Sequence, residues 1–345
     1  MSERRSVPID AEIIKLFSGF FDGTPVSAEA IDTSREEEDF RIAVIVSTAE
    51  GEKYVLKFAA NDFTFPARIR AWQRTVEEYR ALGYYCPRIY GDKNGEFPKV
   101  EYAGRECFLY AEEFSKYRPF EDRGGCDEDA PELDSSVYAE DVWSMTAKIA
   151  AKKLRFTEYP SAYCLFETFC PSDETDEVLE NALKWKSLAE ALPAEFSERV
   201  GRIWRLWSEN RAALEPLYKR LPTSVFQADL NSTNLLIDED GAFKGVYDFN
   251  LSGRDVFLNY LMRENTADTI PRALEIAAKH YAFSDEERAA AEPLFRCLKP
   301  LWWGRISELK KAEGDPLKIK ASLDESERLL TAELGLAEKM HGREA

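Results

Sequence analysis

Two apolar runs early in the chain, 41–47 (RIAVIVS) and 53–59 (KYVLKFA), are rich in β-branched and aromatic residues. The segment Thr48-Ala49-Glu50-Gly51-Glu52 between them predicts a hairpin. In the second run Tyr54, Leu56 and Phe58 share one face and Val55 and Lys57 the other, so Lys57 is a charge set inside an apolar strand. Taken alone, that lysine reads as a solvated residue on a half-exposed strand. Ile69, Trp72, Val76 and Tyr79 recur at spacings of 3, 4 and 3 behind Pro66 and predict an amphipathic helix over 67–82. Two further strands are expected near 98–103 and 106–111, turning at Gly104-Arg105. Residues 121–141 hold nine carboxylates against Arg123 alone and read as a solvated connection or a lid. Beyond them helical spacing predominates, over 137–156, over 196–221 and from 266 onward, and Pro216 is expected to kink or break the second of these. Strands in the first third and helices after it predict an α+β fold with a small β-rich N-terminal lobe and a larger, mainly helical C-terminal lobe.

One segment interrupts the helical region. Residues 223–248 (TSVFQADLNSTNLLIDEDGAFKGVYD) read as a strand, a polar loop and a hairpin turning at Asp240-Gly241. A turn centred on Gly241 pairs 237 with 245, 236 with 246 and 234 with 248. Asn234 and Asp248 then face each other with Cβ atoms roughly 4.5–5.5 Å apart, close enough to share one Mg²⁺. A turn centred between Asp240 and Gly241 puts them on opposite faces, so the metal reading depends on the odd-length loop. Asp229, just past the strand end, is placed to accept a hydroxyl proton. The spacing D-x-x-x-x-N is weak by itself, since Asp176…Asn181 repeats it in an acidic, helical-looking stretch with no assigned function. The structural explanation for the 229–248 copy is an ordinary surface hairpin with capping residues.

Composition narrows the chemistry. The chain has 345 residues, 44% of them apolar, and a formal net charge of −18. It is long enough for two domains or lobes, and its acidity argues against nucleic-acid and anionic-membrane partners. No apolar segment follows the charged N-terminus, and Ile42 to Val46, the longest aliphatic stretch, is too short to span a bilayer, so a cytoplasmic location is expected. Six scattered cysteines without C-x-x-C read as reduced, mostly buried thiols. The two histidines, His280 and His341, lack partners near in sequence, which argues against zinc motifs and most Ser-His or Cys-His schemes. Oligomeric state is not legible.

The residues Gln227-Ala228-Asp229…Asn234, with Val246-Tyr247-Asp248-Phe249 after the hairpin, resemble the H-x-D-x-x-x-x-N and I-D-[FW] segments of the aminoglycoside phosphotransferase and choline kinase family. Tyr54-Val55-Leu56-Lys57-Phe58, Cys86-Pro87-Arg88-Ile89-Tyr90 and Ser252-Gly253-Arg254-Asp255 also resemble family segments, and coverage runs from about 41 to 260. The resemblance implies a bilobal protein-kinase-like fold: a nucleotide-binding lobe over 1–111, a hinge at 112–115, and a catalytic and acceptor-binding lobe over 116–345. It implies a kinase using ATP and Mg²⁺, with Asp229 catalytic, Asn234 and Asp248 holding the metal, Lys57 on the nucleotide phosphates, and the adenine edge at Ala111 to Glu113. Gln73, Glu77 and Glu78 stay open as helix partners of Lys57. The acceptor is expected to be a small hydroxylated molecule such as an aminoglycoside, amino alcohol or sugar. It is expected between the Asp229 loop and segments around 137–215, where Trp143, Tyr163, Trp185, Trp204 and Trp207 suit a cation, although core packing explains most of them. Gln227 replaces the loop histidine, Asn250 stands where a third acidic residue often sits, and Ser34 to Phe40, with Glu36-Glu37-Glu38-Asp39, carries no glycine. These departures keep a second reading alive, a non-catalytic nucleotide- or partner-binding module on the same fold.

Overall fold

The computed structural model describes residues 4–34, 38–121, 134–312 and 314–341. Glu36, Glu37, Cys126 and most of the acidic stretch, 122–133, lie outside the described residues, so the expectations attached to them have no structural counterpart. Contacts gather the chain into two units. The first comprises Met1–Asp141, Cys170–Ser172 and Asp229–Gly253, and the second Val142–Phe169, Asp173–Ala228 and Arg254–Ala345.

Ahead of residue 41, where the patterning marks no element, the first unit places β1 (Arg4–Val7), α1 (Ala11–Phe20) and β2 (Pro25–Asp32). Asp10 caps α1 by accepting from the Ile13 N–H at 2.9 Å, and Ile13, Phe17 and Phe20 form its buried stripe. The expected hairpin follows as β3 (Phe40–Thr48) and β4 (Lys53–Ala60), then α2 (Pro66–Ala81), with Pro66 in its first turn. β5 (Ile89–Tyr90), β6 (Lys99–Tyr102) and β7 (Arg105–Glu113) complete a seven-stranded sheet. Its order is β1-β2-β3-β4-β7-β5, with β6 also on β7, and every pairing is antiparallel. Val44, Val46, Leu56, Phe58 and Leu109 fill one face together with Phe17 and Phe20 of α1. Alternation therefore turns Lys57 to the other face.

The same unit holds a three-stranded sheet ordered β11-β10-β8, built from β8 (Arg118–Pro119), β10 (Leu235–Ile237) and β11 (Phe243–Val246). Its register corrects the expected hairpin. Leu235 pairs with Val246 and Leu236 with Gly245, one residue short of the odd-length alignment, and a bulge sets Ile237 opposite Phe243. The cause lies in the turn. The Asp238 carboxylate accepts from the N–H groups of Asp240 at 3.1 Å and Ala242 at 2.8 Å, so an Asx-type loop rather than a glycine-centred one closes the hairpin. Gly245 is the other constraint. Its φ is +158°, and a Cβ there would fall 1.8 Å from the Tyr85 carbonyl oxygen. The absence of a side chain lets Tyr85 hydrogen-bond along the hairpin, donating to the Lys244 carbonyl at 2.8 Å and accepting from the Val246 N–H at 3.1 Å.

The second unit is mainly helical: α3 (Ala139–Ala151, entering from the first unit), α4 (Glu177–Glu190), α5 (Ser197–Tyr218), β9 (Thr223–Phe226), β12 (Gly253–Val256), α6 (Phe257–Glu264), α7 (Ile270–Ala277), α8 (Asp285–Leu298), α9 (Trp303–Lys311), α10 (Pro316–Thr331) and α11 (Leu336–Lys339). β12 pairs with β9. α5 carries Pro216 in its last turn and stops two residues later. Trp143, Trp185 and Trp207 are buried, as core packing requires, and Trp204 stacks on Trp207. Buried Asp255 accepts from Ser161 Oγ at 2.6 Å, Tyr218 OH at 3.0 Å and the Val256 N–H at 2.7 Å, which fixes the start of α6. Burial pushes its carboxyl pKa up, against the pull of those donors. Cys86, Cys107, Cys164 and Cys297 are free and buried, as expected, while Cys170 is half-buried. No helix among the described residues is long and apolar enough to cross a membrane.

Candidate active site

The site belongs to the first unit and is assembled by β4, β7 and the loops around β10 and β11. β4 presents Lys57 opposite Tyr110 of β7, and Val55 opposite Glu112. Paired residues share a face, so Glu112 is the diagonal neighbour of Lys57 across the ladder. The two form an ion pair, Nζ to Oε2, at 3.6 Å. The helix candidates are engaged elsewhere in two of three cases: Gln73 donates to the Ile89 carbonyl at 2.9 Å, and Glu77 accepts from Arg88 at 3.2 Å. The carboxylate paired with the strand lysine thus comes from the neighbouring strand. Its sign was visible in the Glu112-Glu113 doublet at the end of an apolar run, but only the β4–β7 register selects Glu112.

Lys57, Glu112 and Asp248 line one cavity of about 680 Å³, together with the apolar side chains of Ala43, Val55 and Leu236. Burial opposes the charge on Lys57, yet the carboxylates of Glu112 and Asp248 outweigh it and hold the ammonium pKa above its ordinary value. The Glu112 carboxyl is pushed up instead, first by burial, then by the Asp248 charge, against the pull of Lys57. One ammonium shared by two carboxylates accounts for both directions. The cluster keeps Lys57 charged and carries an excess of negative charge.

Asp248 reaches this cluster despite the register. It lies beyond the last ladder pair, with Tyr247 N–H donating to the Asn234 carbonyl at 3.2 Å. Its backbone is left-handed, at φ 58° and ψ 68°. Strand alternation therefore does not decide where its side chain points. Aspartate tolerates that conformation better than most residues, and such strain gathers at functional sites.

Asp229 and Asn234 meet in the loop before β10. A 3₁₀ turn at Ser232–Asn234 folds the chain back, and Asn234 Nδ2 donates to the Asp229 carbonyl at 2.8 Å and its Oδ2 at 3.1 Å. Asn231 Nδ2 donates to Asp229 Oδ1 at 3.1 Å. Ser232 Oγ donates to Glu121, and the Phe120 N–H donates to the Leu235 carbonyl at 2.8 Å, so the chain after β8 braces the loop. Asn231, Glu121 and β8 carry no sequence signal that marks them. With its amide N–H groups on Asp229, Asn234 keeps its side-chain carbonyl oxygen as the atom able to ligate a hard cation.

Ala111 is not brought to the site. It is fully buried between Leu56 of β4 and Tyr90 of β5, which surround its backbone on both sides. Glu113 lines the cavity with Phe114, Ser115 and Lys116. Its carboxylate turns away, accepting from Tyr85 OH at 2.9 Å and the Arg88 N–H at 3.2 Å, and its own N–H donates to the Arg88 carbonyl at 2.8 Å.

A family model described as phosphotransferase enzyme family matches residues 35–259. Among solved structures, the chain is similar to a microcompartment-associated aminopropanol kinase at 15% identity and a TM-score of 0.53, covering 93% of this chain and 95% of that one. It is likewise similar to the amicoumacin kinase hAmiN at 11% identity and a TM-score of 0.52, covering 95% and 96%. No curated protein matches it. At these identities the structures show a shared kinase fold, α+β with an N-terminal sheet region and a helical C-terminal region, while the model match spans well over half the sequence: the chain belongs to the phosphotransferase enzyme family.

Proposed function

We propose that this phosphotransferase transfers a phosphoryl group from ATP, with Mg²⁺, to a hydroxyl of a small molecule, and that an amino alcohol or another amine-bearing alcohol is the first class to try. The observation that carries the reading is the pairing of two clusters in one unit: Asp229 held by Asn231 and Asn234, and Lys57 held charged by Glu112 and Asp248 in a single cavity. A relative of the same fold, the amicoumacin kinase, is described in complex with AMP-PNP and Ca²⁺, and the microcompartment enzyme as an aminopropanol kinase.

Each residue has a role its chemistry supports. Lys57 offers a fixed positive charge to the nucleotide phosphates, and its sheet position makes that charge costly to move. Asp229 accepts the acceptor hydroxyl's hydrogen bond, orienting its oxygen for in-line attack and taking its proton. Asn234 and Asp248 are the oxygen donors for the metal, and the negative excess around Lys57 favours a divalent cation there. The metal, when bound, supplies neutralisation of phosphate charge. We place the purine edge along Glu113 to Ser115, which line the cavity within the expected 112–115 hinge, rather than against Ala111.

The test is a Mg²⁺ titration of ATP binding by thermal shift, paired with an ADP-release assay against amino alcohols, aminoglycosides and sugars. Mg²⁺-dependent binding with turnover on one class is the expected result. Mg²⁺-indifferent binding without turnover would establish instead the non-catalytic module, which the glycine-poor stretch before β3 favours.

A further inference from the structure

Catalytic use of Asp229 requires that its carboxylate keep one direction, and that direction is set by the two peptide planes flanking its Cα. The plane after it is held by Asn234, through the Asp229 carbonyl at 2.8 Å. The plane before it is held from α6: the guanidinium of Arg263 donates to the carbonyl of Ala228, a residue only 1% exposed. Two further contacts hold that guanidinium, and a third anchors its backbone. Its central carbon lies over the Tyr163 ring, 3.4 Å from the centroid. An Nη pairs with Glu264 at 2.6 Å. The backbone carbonyl of Arg263 accepts from Lys299 Nζ, also at 2.6 Å, where α6 ends. A planar, always-charged donor resting on an aromatic face suits this task, and lysine cannot reproduce that geometry.

We infer that Arg263 is a positioning residue for phosphoryl transfer: it fixes the Ala228–Asp229 peptide plane and, through it, the aim of the Asp229 carboxylate. The inference rests on the reading of Asp229 given above. It goes beyond that reading by assigning a role to a side chain 34 positions downstream, on α6. An aspartate free to swing costs rate rather than affinity, since a misplacement of about 1 Å can lower a rate about 100-fold.

The experiment is a double-mutant cycle on MgATP turnover, with ethanolamine as acceptor and water as the fallback acceptor. Arg263→Met is expected to lower kcat about 10- to 100-fold with the KM for MgATP within about twofold. Arg263→Lys, which keeps charge and length, should fold like the parent and remain about 5-fold or more below it. The deciding arm is Asp229→Asn. In that background Arg263→Met should subtract nothing further, because the residue it acts through is already gone. A Met variant that is folded and within about twofold of parental kcat would overturn the inference. So would a further loss in the Asp229→Asn background equal to that in the parent, which is what a merely structural role gives. Should Arg263→Met fail to fold, Arg263→Lys runs through the same cycle with the same criteria. If Asp229→Asn alone keeps near-parental rate, the reading of Asp229 fails, and this inference with it.

Discussion

The spacing Asp-x-x-x-x-Asn occurs twice in this chain, and the two copies fold into unlike objects. Asp176 is the N-cap of α4, accepting from the Leu179 N–H at 2.9 Å. It also accepts from the Phe166 N–H at 2.7 Å and pairs directly with Arg211. Its carboxylate is fully committed to holding the loop before α4 in place. Asn181 simply continues the helix. At Asp229 no helix starts; a 3₁₀ turn brings the asparagine back over the aspartate, and the neutral amides of Asn231 and Asn234 hold the carboxylate. One aspartate caps a helix and pairs with an arginine, and the other, held by neutral amides, is the one proposed above for chemistry. The difference comes from the residues downstream of each: a run whose majority, Leu, Glu, Ala, Leu and Lys, are good helix formers (VLENALKW) in one case, and Ser-Thr-Asn leading into Leu-Leu-Ile in the other.

That contrast can be broken most directly at the aspartates. Asp229→Asn is expected to lower turnover about 10²- to 10⁴-fold at unchanged thermal stability. Asp176→Ala should leave kcat close to parental and cost about 2–4 kcal/mol in urea unfolding, from a lost cap and a buried guanidinium left without its carboxylate. Parental turnover in the first variant would erase the distinction. Next come the asparagines. Asn234→Ala should raise the Mg²⁺ concentration for half-maximal turnover about 10- to 100-fold, an effect sized on other metal-site losses. Asn181→Ala should stay within about 0.5 kcal/mol of parental stability and leave the Mg²⁺ requirement alone.

Two smaller effects sharpen the role of context. Gly245→Ala, which would drive a methyl into the Tyr85 carbonyl, should cost about 2–4 kcal/mol and weaken nucleotide binding by displacing the hairpin. Lys57→Met leaves Glu112 and Asp248 facing each other and should cost about 1–3 kcal/mol near neutral pH. Glu112 sets the pH profile. Its folded pKa lies above the ordinary 4.5, so this carboxyl stabilises the fold fully below that value and less as pH rises through its raised folded value. Lys57 offsets the loss in the parent. The stability gap between Lys57→Met and parent should therefore widen as pH rises through the raised folded value and narrow toward pH 4.5, as read by chemical denaturation at each pH. A flat gap would show that the lysine does not compensate these carboxylates.

The features legible in the sequence were the local ones. β3, β4 and α2 announced themselves by period: the two strands bury one face in the core beneath α1, and α2 buries a stripe of Ile69, Trp72, Val76 and Tyr79. The motif loop was legible through its flanking strand and hairpin. The register of that hairpin was not, because it is set by the Asp238 side chain and by a backbone contact with Tyr85, some 160 positions earlier. Glu112 was hidden for a related reason: β4 and β7 are separated by more than 40 residues, and their alignment appears in neither strand alone. Nor does the sequence separate Ala111 from Glu113: two residues along β7 lead from a fully buried ladder position to one that lines the cavity, and only the pairing of β7 with β4 and β5 tells them apart. Arg263 bears no motif, since a donor to a main-chain carbonyl leaves no pattern around itself.

The contact of Tyr85 with Gly245 has a mechanical corollary. The segment leaving α2 is bolted to the ribbon that ends in Asp248 by two main-chain hydrogen bonds, while Tyr79 packs edge-on against Phe249 just beyond it. Control by swinging this helix outward, away from its neighbours, would have to shear those bolts first. Any on–off behaviour in this enzyme should accordingly be sought in what arrives at the cavity, not in a travelling helix.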